Sequence, residues 1–343
     1  MDPAEIQLRE RLRQIAGVTE VLSDSEFTLE GEQCRVQERR PPDRTDRGVE
    51  LEPLIYSLRK QIYHRFYACV RSAGTSADAI ATQDDQLIRQ LSEANHNRGG
   101  WDDGWTVTHR SSHGFVTARK DQRSNVFPPG QFLYEEGPRR PEEGELIRIR
   151  IYRESRGMQD GFYFAFGETI PDKVDSGSWL RVYWNVSPEG AVELVRRVSE
   201  SFNRHELPYR LKCPQRSSAY TRVDAAVLYI GIRHAPIASE LVGDIYPALQ
   251  PLLSGPTPLF AKRLGHGLAL AQSPADGQSF GMHRCQIVAE GLKAAWESGG
   301  ATEHDRLAAI EQQFDLRGVS LKASHLNPGQ AERPGYTDWP QLL

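Results

Sequence analysis

The sequence predicts an α+β protein. Residues 1–97 form a mostly helical N-terminal region, and residues 98–343 form an α+β domain with helices packed on an antiparallel or mixed sheet. Three observations predict this. Leu54, Leu58, Ile62 and Phe66 recur every four residues, the stripe of an amphipathic helix. Residues 146–152 alternate strictly, with Ile147, Ile149 and Ile151 set against Arg148, Arg150 and Tyr152, as in a strand with one buried face. The strand patterns are grouped mainly ahead of the later helices, which argues against regular βαβ winding.

The elements follow in order. Residues 4–16 place Leu8, Leu12 and Ile15 at helical spacing, and a hairpin then joins 27–29 to 34–36 across Glu30-Gly31. Residues 38–50 are charged and carry Pro41-Pro42, which reads as a loop or linker. A second amphipathic helix covers 78–95, with Ile80, Leu87 and Leu91 inward. Gly99-Gly-Trp-Asp-Asp-Gly-Trp105 breaks the helical pattern. Strands at 106–109 and 114–119 flank a turn at Ser111–Gly114, and aromatic and β-branched residues mark strands at 162–166 and 180–186. Ser187-Pro188 opens a helix as N-cap and first helical residue, and Leu194, Val195, Val198 and Phe202 form its buried stripe. Strands at 208–213 and 225–231 and helices at 236–253, 281–298 and 303–315 complete the chain, ahead of an irregular tail rich in Pro and Gly.

Composition bounds the function. With 343 residues and 38% hydrophobic content the chain can bury a large core. A net charge of −4 and a pI of about 6.2 give no reason to expect nucleic acid as a partner. Mean hydropathy is −0.56, and no run approaches the ~20 apolar residues of a membrane span. The first residues lack the layout of a signal peptide, and Cys34, Cys69, Cys213 and Cys285 have no CxxC pairing. Reduced thiols in a cytoplasmic protein are the expectation.

The chemistry concentrates in separated stretches. Arg181 lies in Trp179–Val186, Arg210 and Lys212 in Tyr209–Lys212, and Arg222 in Tyr220–Asp224; His283 and Arg284 lie in Ser279–Cys285. Cations converging on one site are costly unless an anion neutralises them, so convergence points to a phosphate or carboxylate binder. Arg210 and Lys212 share one face of a strand; buried, they demand an anion, whereas exposed they are an ordinary solvated edge. Asp224 is a ready ion-pair partner for either arginine. His283 and Arg284 stand in the first turn of a helix, against its dipole, where phosphate is favoured. The plain alternative is a packed or solvent-facing histidine. No metal-ligand spacing, phosphate-binding glycine loop or nucleophile elbow is present.

Trp101–Trp105, Tyr183–Ala191, Pro208–Lys212, Tyr220–Tyr229 and Ser279–Cys285, in this order, resemble the HopA-type effector-like family over about residues 50 to 330. Members of that family are type III effectors. Others stand beside phosphotransferase-like kinases in ribosomal-peptide pathways, including those of class V lanthipeptides and thioamidated peptides. The resemblance implies a phosphothreonine or phosphoserine lyase. The kinase phosphorylates a precursor peptide carrying a leader, and the lyase eliminates phosphate to leave dehydrobutyrine or dehydroalanine. No cofactor or metal is implied. By the same resemblance Lys212 is the general base, and Arg181, Arg210, Arg222 and Arg284 bind phosphate. Asn185 stands where phosphothreonine lyases place an acid histidine, and an amide cannot donate that proton, so His283 takes the role with Tyr220 in reserve. The helical N-terminal region is expected to engage the leader peptide or the kinase. A non-enzymatic effector or scaffold that binds a peptide or kinase is the competing expectation.

Overall fold

The computed structural model describes residues 3–36, 51–70, 77–134, 141–175, 177, 179–330 and 339. Helix α1 (Pro3–Val18) leads into a meander of β1 (Thr19–Ser23), β2 (Glu26–Leu29) and β3 (Glu32–Arg35). Helix α2 (Pro53–Ile62) passes directly into a π-helical turn at Tyr63–Tyr67, and α3 (Ala77–Ala94) follows. Strands β4 (Gly100–Arg110), β5 (Val116–Lys120), β6 (Arg123–Phe127), β7 (Phe132–Tyr134) and β8 (Leu146–Ile151) form a five-stranded sheet in the order β6-β5-β4-β8-β7.

The main sheet draws on β9 (Glu154–Ser155), β10 (Phe162–Phe166) and β11 (Trp179–Trp184). After α4 (Pro188–Arg204) come β12 (Tyr209–Pro214) and β13 (Ala226–Gly231); after α5 (Ala235–Leu249) come β14 (Lys262–Gly265) and β15 (Leu268–Gln272). Its order is β14-β15-β11-β13-β12-β10-β9, and every pairing in it is antiparallel. Helices α6 (Phe280–Glu297) and α7 (Glu303–Leu316) end the regular structure. The α+β class predicted above is the class observed, with the antiparallel of its two sheet alternatives.

Period-two alternation makes the main sheet the middle layer of three. Leu180, Val182 and Trp184 of β11 and Ala226, Leu228 and Ile230 of β13 join a core with α3, α4 and α5. Tyr183, Val227, Ala269 and Ala271 on the other face join a core with α1, α2, α6 and α7, where Leu12, Ile15, Leu58 and Ile62 are fully buried. Residues on both sides of position 97 therefore contribute to each of these cores. The linker expected at 38–50 and the side chain of Ile80 fall outside the described residues.

Several expected elements recur with small shifts. Ser187 caps α4 by accepting a hydrogen bond from Gly190 N at 3.0 Å, with Pro188 at the first helical position. Glu30 and Gly31 both take positive φ, 52° and 80°, as the tight β2–β3 turn requires. Strands β14 and β15 were not expected. Leu268-Ala-Leu-Ala-Gln272 is buried on both faces, so it lacks alternation, and its leucines and alanines favour helix by propensity. The helix expected through Phe66 instead widens at residue 63, where Ala68 N donates to Tyr63 O across five residues at 2.8 Å.

Candidate functional site

The face of the main sheet that packs toward α2 and α6 carries polar groups at its centre. Antiparallel register sets Tyr229 directly opposite Arg181 on one side and Arg210 on the other, and sets Val227 opposite Tyr183 and Lys212. Phe164 lies opposite Lys212, and Phe166 opposite Arg210. These side chains share one face because each stands two residues from the next along its strand. All of them but Phe166 line a cavity of about 450 Å³, whose other walls include α2, the π-turn, Phe162, Met158, Gln159, Ser279 and Met282. Arg181, Arg210, Lys212 and Arg222 all open onto it.

Each cation is held differently. Arg222 grips Asp224 with two hydrogen bonds, Nε to Oδ1 at 2.5 Å and Nη2 to Oδ2 at 2.8 Å, and Nη2 also donates to Tyr63 Oη at 2.6 Å. Tyr63 Oη in turn donates to Asp224 Oδ2 at 3.0 Å. Burial alone would raise the Asp224 pKa, but Arg222 and these hydrogen bonds hold it below the usual carboxylate range. Val223 N donates to Ala68 O at 2.9 Å, pinning this loop to the end of the π-turn. Arg181 is buried and donates to two neutral acceptors, Ser273 Oγ at 2.8 Å and Gln278 O at 2.9 Å. The Arg210 guanidinium lies over the rings of Tyr229 and Trp179, 4.6 Å and 5.6 Å from their centroids.

Lys212 sits on the same face, its Nζ 3.7 Å above the centroid of Phe162. Burial lowers its pKa below that of an ordinary lysine, and Arg222 and Arg181 push the same way against the attraction of Tyr229 and Asp224. Tyr229 moves oppositely to its neighbouring tyrosines. Burial would raise it, yet Arg181, Lys212 and Arg210 bring it below the usual phenol value. Burial pushes Tyr183 up to about 12 and holds Tyr63 and Tyr67 well above the usual phenol value.

The other four residues singled out in the sequence do not line the cavity. Asn185 is buried just past β11, where Nδ2 donates to Pro256 O at 2.8 Å. Tyr220 packs against the first core and donates to Pro214 O at 3.0 Å. His283 accepts from Arg284 Nη1 at 2.8 Å, and burial with Arg284 beside it pushes its pKa down to about 4. Arg284 is fully buried and donates to the carbonyls of Ser324 and Leu326, at 2.8 Å and 2.7 Å. The first turn of α6 therefore uses Arg284 to fasten the C-terminal segment, and a carbonyl can satisfy a buried guanidinium as an anion would. Arg284→Met is expected to cost about 2–4 kcal/mol, because it strips charged hydrogen bonds from two buried carbonyls. Urea denaturation measures this loss, and the affinity for inorganic phosphate should stay unchanged.

Sequence reasoning missed Tyr229, Tyr63, Tyr67, His64 and Lys60. Tyr229 had a signal: with Tyr183, it is a polar-tipped aromatic on the same face as Arg181, Arg210 and Lys212. The residues of α2 and the π-turn had one too: Lys60, Tyr63 and Tyr67 recur at helical spacing, but beside the apolar stripe of Leu54, Leu58, Ile62 and Phe66 they read as its solvated flank. Gly281 allows their approach, because a Cβ there would stand 2.4 Å from Tyr67 Cε1 and 2.7 Å from Tyr63 Cε2. Among the described residues no cluster of three His, Cys, Asp or Glu side chains is placed to hold a metal, and no helix is long and apolar enough to cross a membrane.

Comparison with known proteins gives the family of this chain. No curated protein sequence matches the chain. The effector protein from Pseudomonas syringae pv. tomato strain DC3000 is similar in structure at 15% identity and a TM-score of 0.49, covering 95% of this chain and 100% of that one. The effector protein from Pseudomonas syringae pv. syringae strain 61 is similar at 16% identity and a TM-score of 0.43, covering 79% and 90%. The family model for HopA1 effector proteins matches residues 154–326, a span that includes Arg181, Arg210, Lys212 and Arg222. With half of its length matched, the chain belongs to the HopA1 effector protein family.

Proposed function

We propose that this protein is a phosphothreonine or phosphoserine lyase, which eliminates phosphate from a phosphorylated precursor peptide to leave dehydrobutyrine or dehydroalanine. The observation that carries the reading is the gathering of Arg181, Arg210, Arg222 and Lys212 around one cavity, with the lysine's pKa lowered. Three guanidinium groups suit a phosphate dianion, being planar donors that stay charged at any working pH. A desolvated amine suits proton abstraction, because an amine must be neutral to accept a proton and desolvation favours that form.

In this reading the phosphate enters the arginine cluster and its peptide lies toward the cavity mouth. Lys212 Nζ takes the Cα proton. The electrons of that C–H bond become the Cα–Cβ double bond, and the Cβ–O bond breaks with its pair going to phosphate. Negative charge that builds on the enolate and on the leaving group is met by the arginines, which are held in place by partners such as Asp224, Ser273 and Gln278. A phosphotransferase-like kinase is the proposed source of the phosphopeptide. The proposed N-terminal contact with leader or kinase is confined to outer surfaces, since the inner faces of α1 and α2 are occupied by the second core.

The test is incubation of the full chain with a synthetic phosphothreonine peptide, followed by mass spectrometry. Elimination removes phosphoric acid, roughly 98 Da, whereas ester hydrolysis removes roughly 80 Da and mere binding removes nothing. An unchanged peptide mass would favour the competing reading, a scaffold that captures phosphorylated partners.

A further inference from the structure

We propose that Tyr229 is the general acid of this site, delivering its phenolic proton to the oxygen through which phosphate departs. This rests on the lyase reading and fills its one vacant role, since Asn185, Tyr220 and His283 lie outside the cavity.

Position is the first argument. Tyr229 is the centre of a cross-strand row, directly opposite Arg181 and Arg210, whose Cζ atoms lie 5.4 Å and 4.6 Å from its ring centroid. A dianion bound by those two guanidinium groups is brought against the same phenol. Lys212 stands two residues from Arg210 on the same strand face, so acid and base flank one bound phosphoester.

Electrostatics is the second. A general acid must survive as its conjugate base, and a phenolate at 229 faces Arg181 on β11 and both Arg210 and Lys212 on β12. Asp224 opposes it but is already claimed by Arg222 and Tyr63. The remaining titratable groups on the walls serve less well. Tyr63, Tyr67 and Tyr183 have raised pKa values that hold their protons in place. Lys60 and His64 come from α2 and the π-turn, and burial and then Arg222 lower the His64 pKa, which disfavours its protonated, acid form.

Charge balance is the third. With Lys212 neutral and Tyr229 protonated, the three cavity arginines less the Asp224 carboxylate contribute two positive charges, and Lys60 adds a further cation on the wall, so the site carries enough charge to take a phosphate dianion. Lys212 then accepts the Cα proton and Tyr229 gives one to the departing oxygen, so phosphate leaves as its hydrogen phosphate dianion. The pair is left as ammonium and phenolate. Passage of one proton from Lys212 to Tyr229, directly or through a water, restores the starting state with nothing consumed.

The experiment compares wild type, Tyr229→Phe and His64→Asn on the same phosphothreonine peptide across pH. Tyr229→Phe is expected to lower kcat by about 10²–10³-fold and to lose the high-pH limb of the rate profile. It should bind inorganic phosphate within about threefold of wild type, since only the transition state uses the proton. An alkaline titration followed by tyrosinate absorbance should show one phenolate in wild type that appears ahead of the rest and is absent from Tyr229→Phe. Near-wild-type turnover in Tyr229→Phe overturns the proposal, as does loss of phosphate binding in parallel with turnover. Loss of the high-pH limb in His64→Asn instead would pass the role to His64. Wild type that releases no phosphate would end the lyase reading itself, an outcome separate from these.

Discussion

Lys212→Ala should cut elimination by roughly 10²–10⁴-fold in kcat, the usual toll for removing a general base. The side chain projects from a central strand whose backbone pairs β10 and β13, so truncation leaves the sheet intact. Arg181, Arg210 and Arg222 remain on their own partners, so inorganic phosphate should still bind. Lys212→Arg sharpens the test: a guanidinium keeps the charge but cannot be deprotonated at working pH. A protein that only captured phosphate would accept arginine there, whereas a lyase loses turnover. The pH dependence has a definite sign. Because burial lowers the Lys212 pKa, the neutral amine forms earlier as pH rises, and the low-pH limb of the rate profile should lie below the range of an ordinary lysine. Steady-state rates and phosphate calorimetry on the two variants decide the matter, and turnover retained by either would remove Lys212 from the mechanism.

Asp224→Ala should destabilise the fold by about 3 kcal/mol, near the lower end for breaking a buried ion pair, because Arg222 keeps some contact with water. The Arg222 side chain is 21% exposed and that of Asp224 only 8%, so the substitution leaves a largely desolvated guanidinium held by Tyr63. The linkage to pH follows from the lowered Asp224 pKa. Its stabilisation is fully present above the unfolded carboxylate value, about 3.9, and disappears as pH falls through the lower folded value. Urea denaturation should therefore separate wild type from variant at neutral pH and bring them together in acid. A constant gap across that range would mean that the pair is not what holds the loop.

The parts of the fold that alternate or repeat were legible: the helices at α1, α2, α4, α6 and α7, and strands β8, β10, β11, β12 and β13. Strands β14 and β15 were not, since burial on both faces erases period two and their leucines and alanines read equally well as helix. The candidate site was legible in its cations. Arg210 and Lys212 were placed on one strand face, and Asp224 was considered as a partner for a nearby arginine, as observed with Arg222. Arg284 and His283 show where residue type misleads, because a basic first turn attracts phosphate only if it faces a cavity, and here it faces the carbonyls of residues 324 and 326. Tyr63 and Tyr67 stand four residues apart, in line with Lys60 and Tyr56 at helical spacing, but the apolar stripe of Leu54, Leu58, Ile62 and Phe66 beside them was the stronger signal and drew the reading.

The cavity wall runs from Tyr56 to Met282, with sheet residues between, so its parts are far separated along the chain. During synthesis, α2 is made long before the strands it will cover, and the start of α6 follows all of those strands. Loop-closure entropy must be met over those distances before contacts repay it. The cavity therefore cannot form on a nascent chain that ends before α6, and a translation product cut short before residue 282 would carry the arginines without the room that holds them.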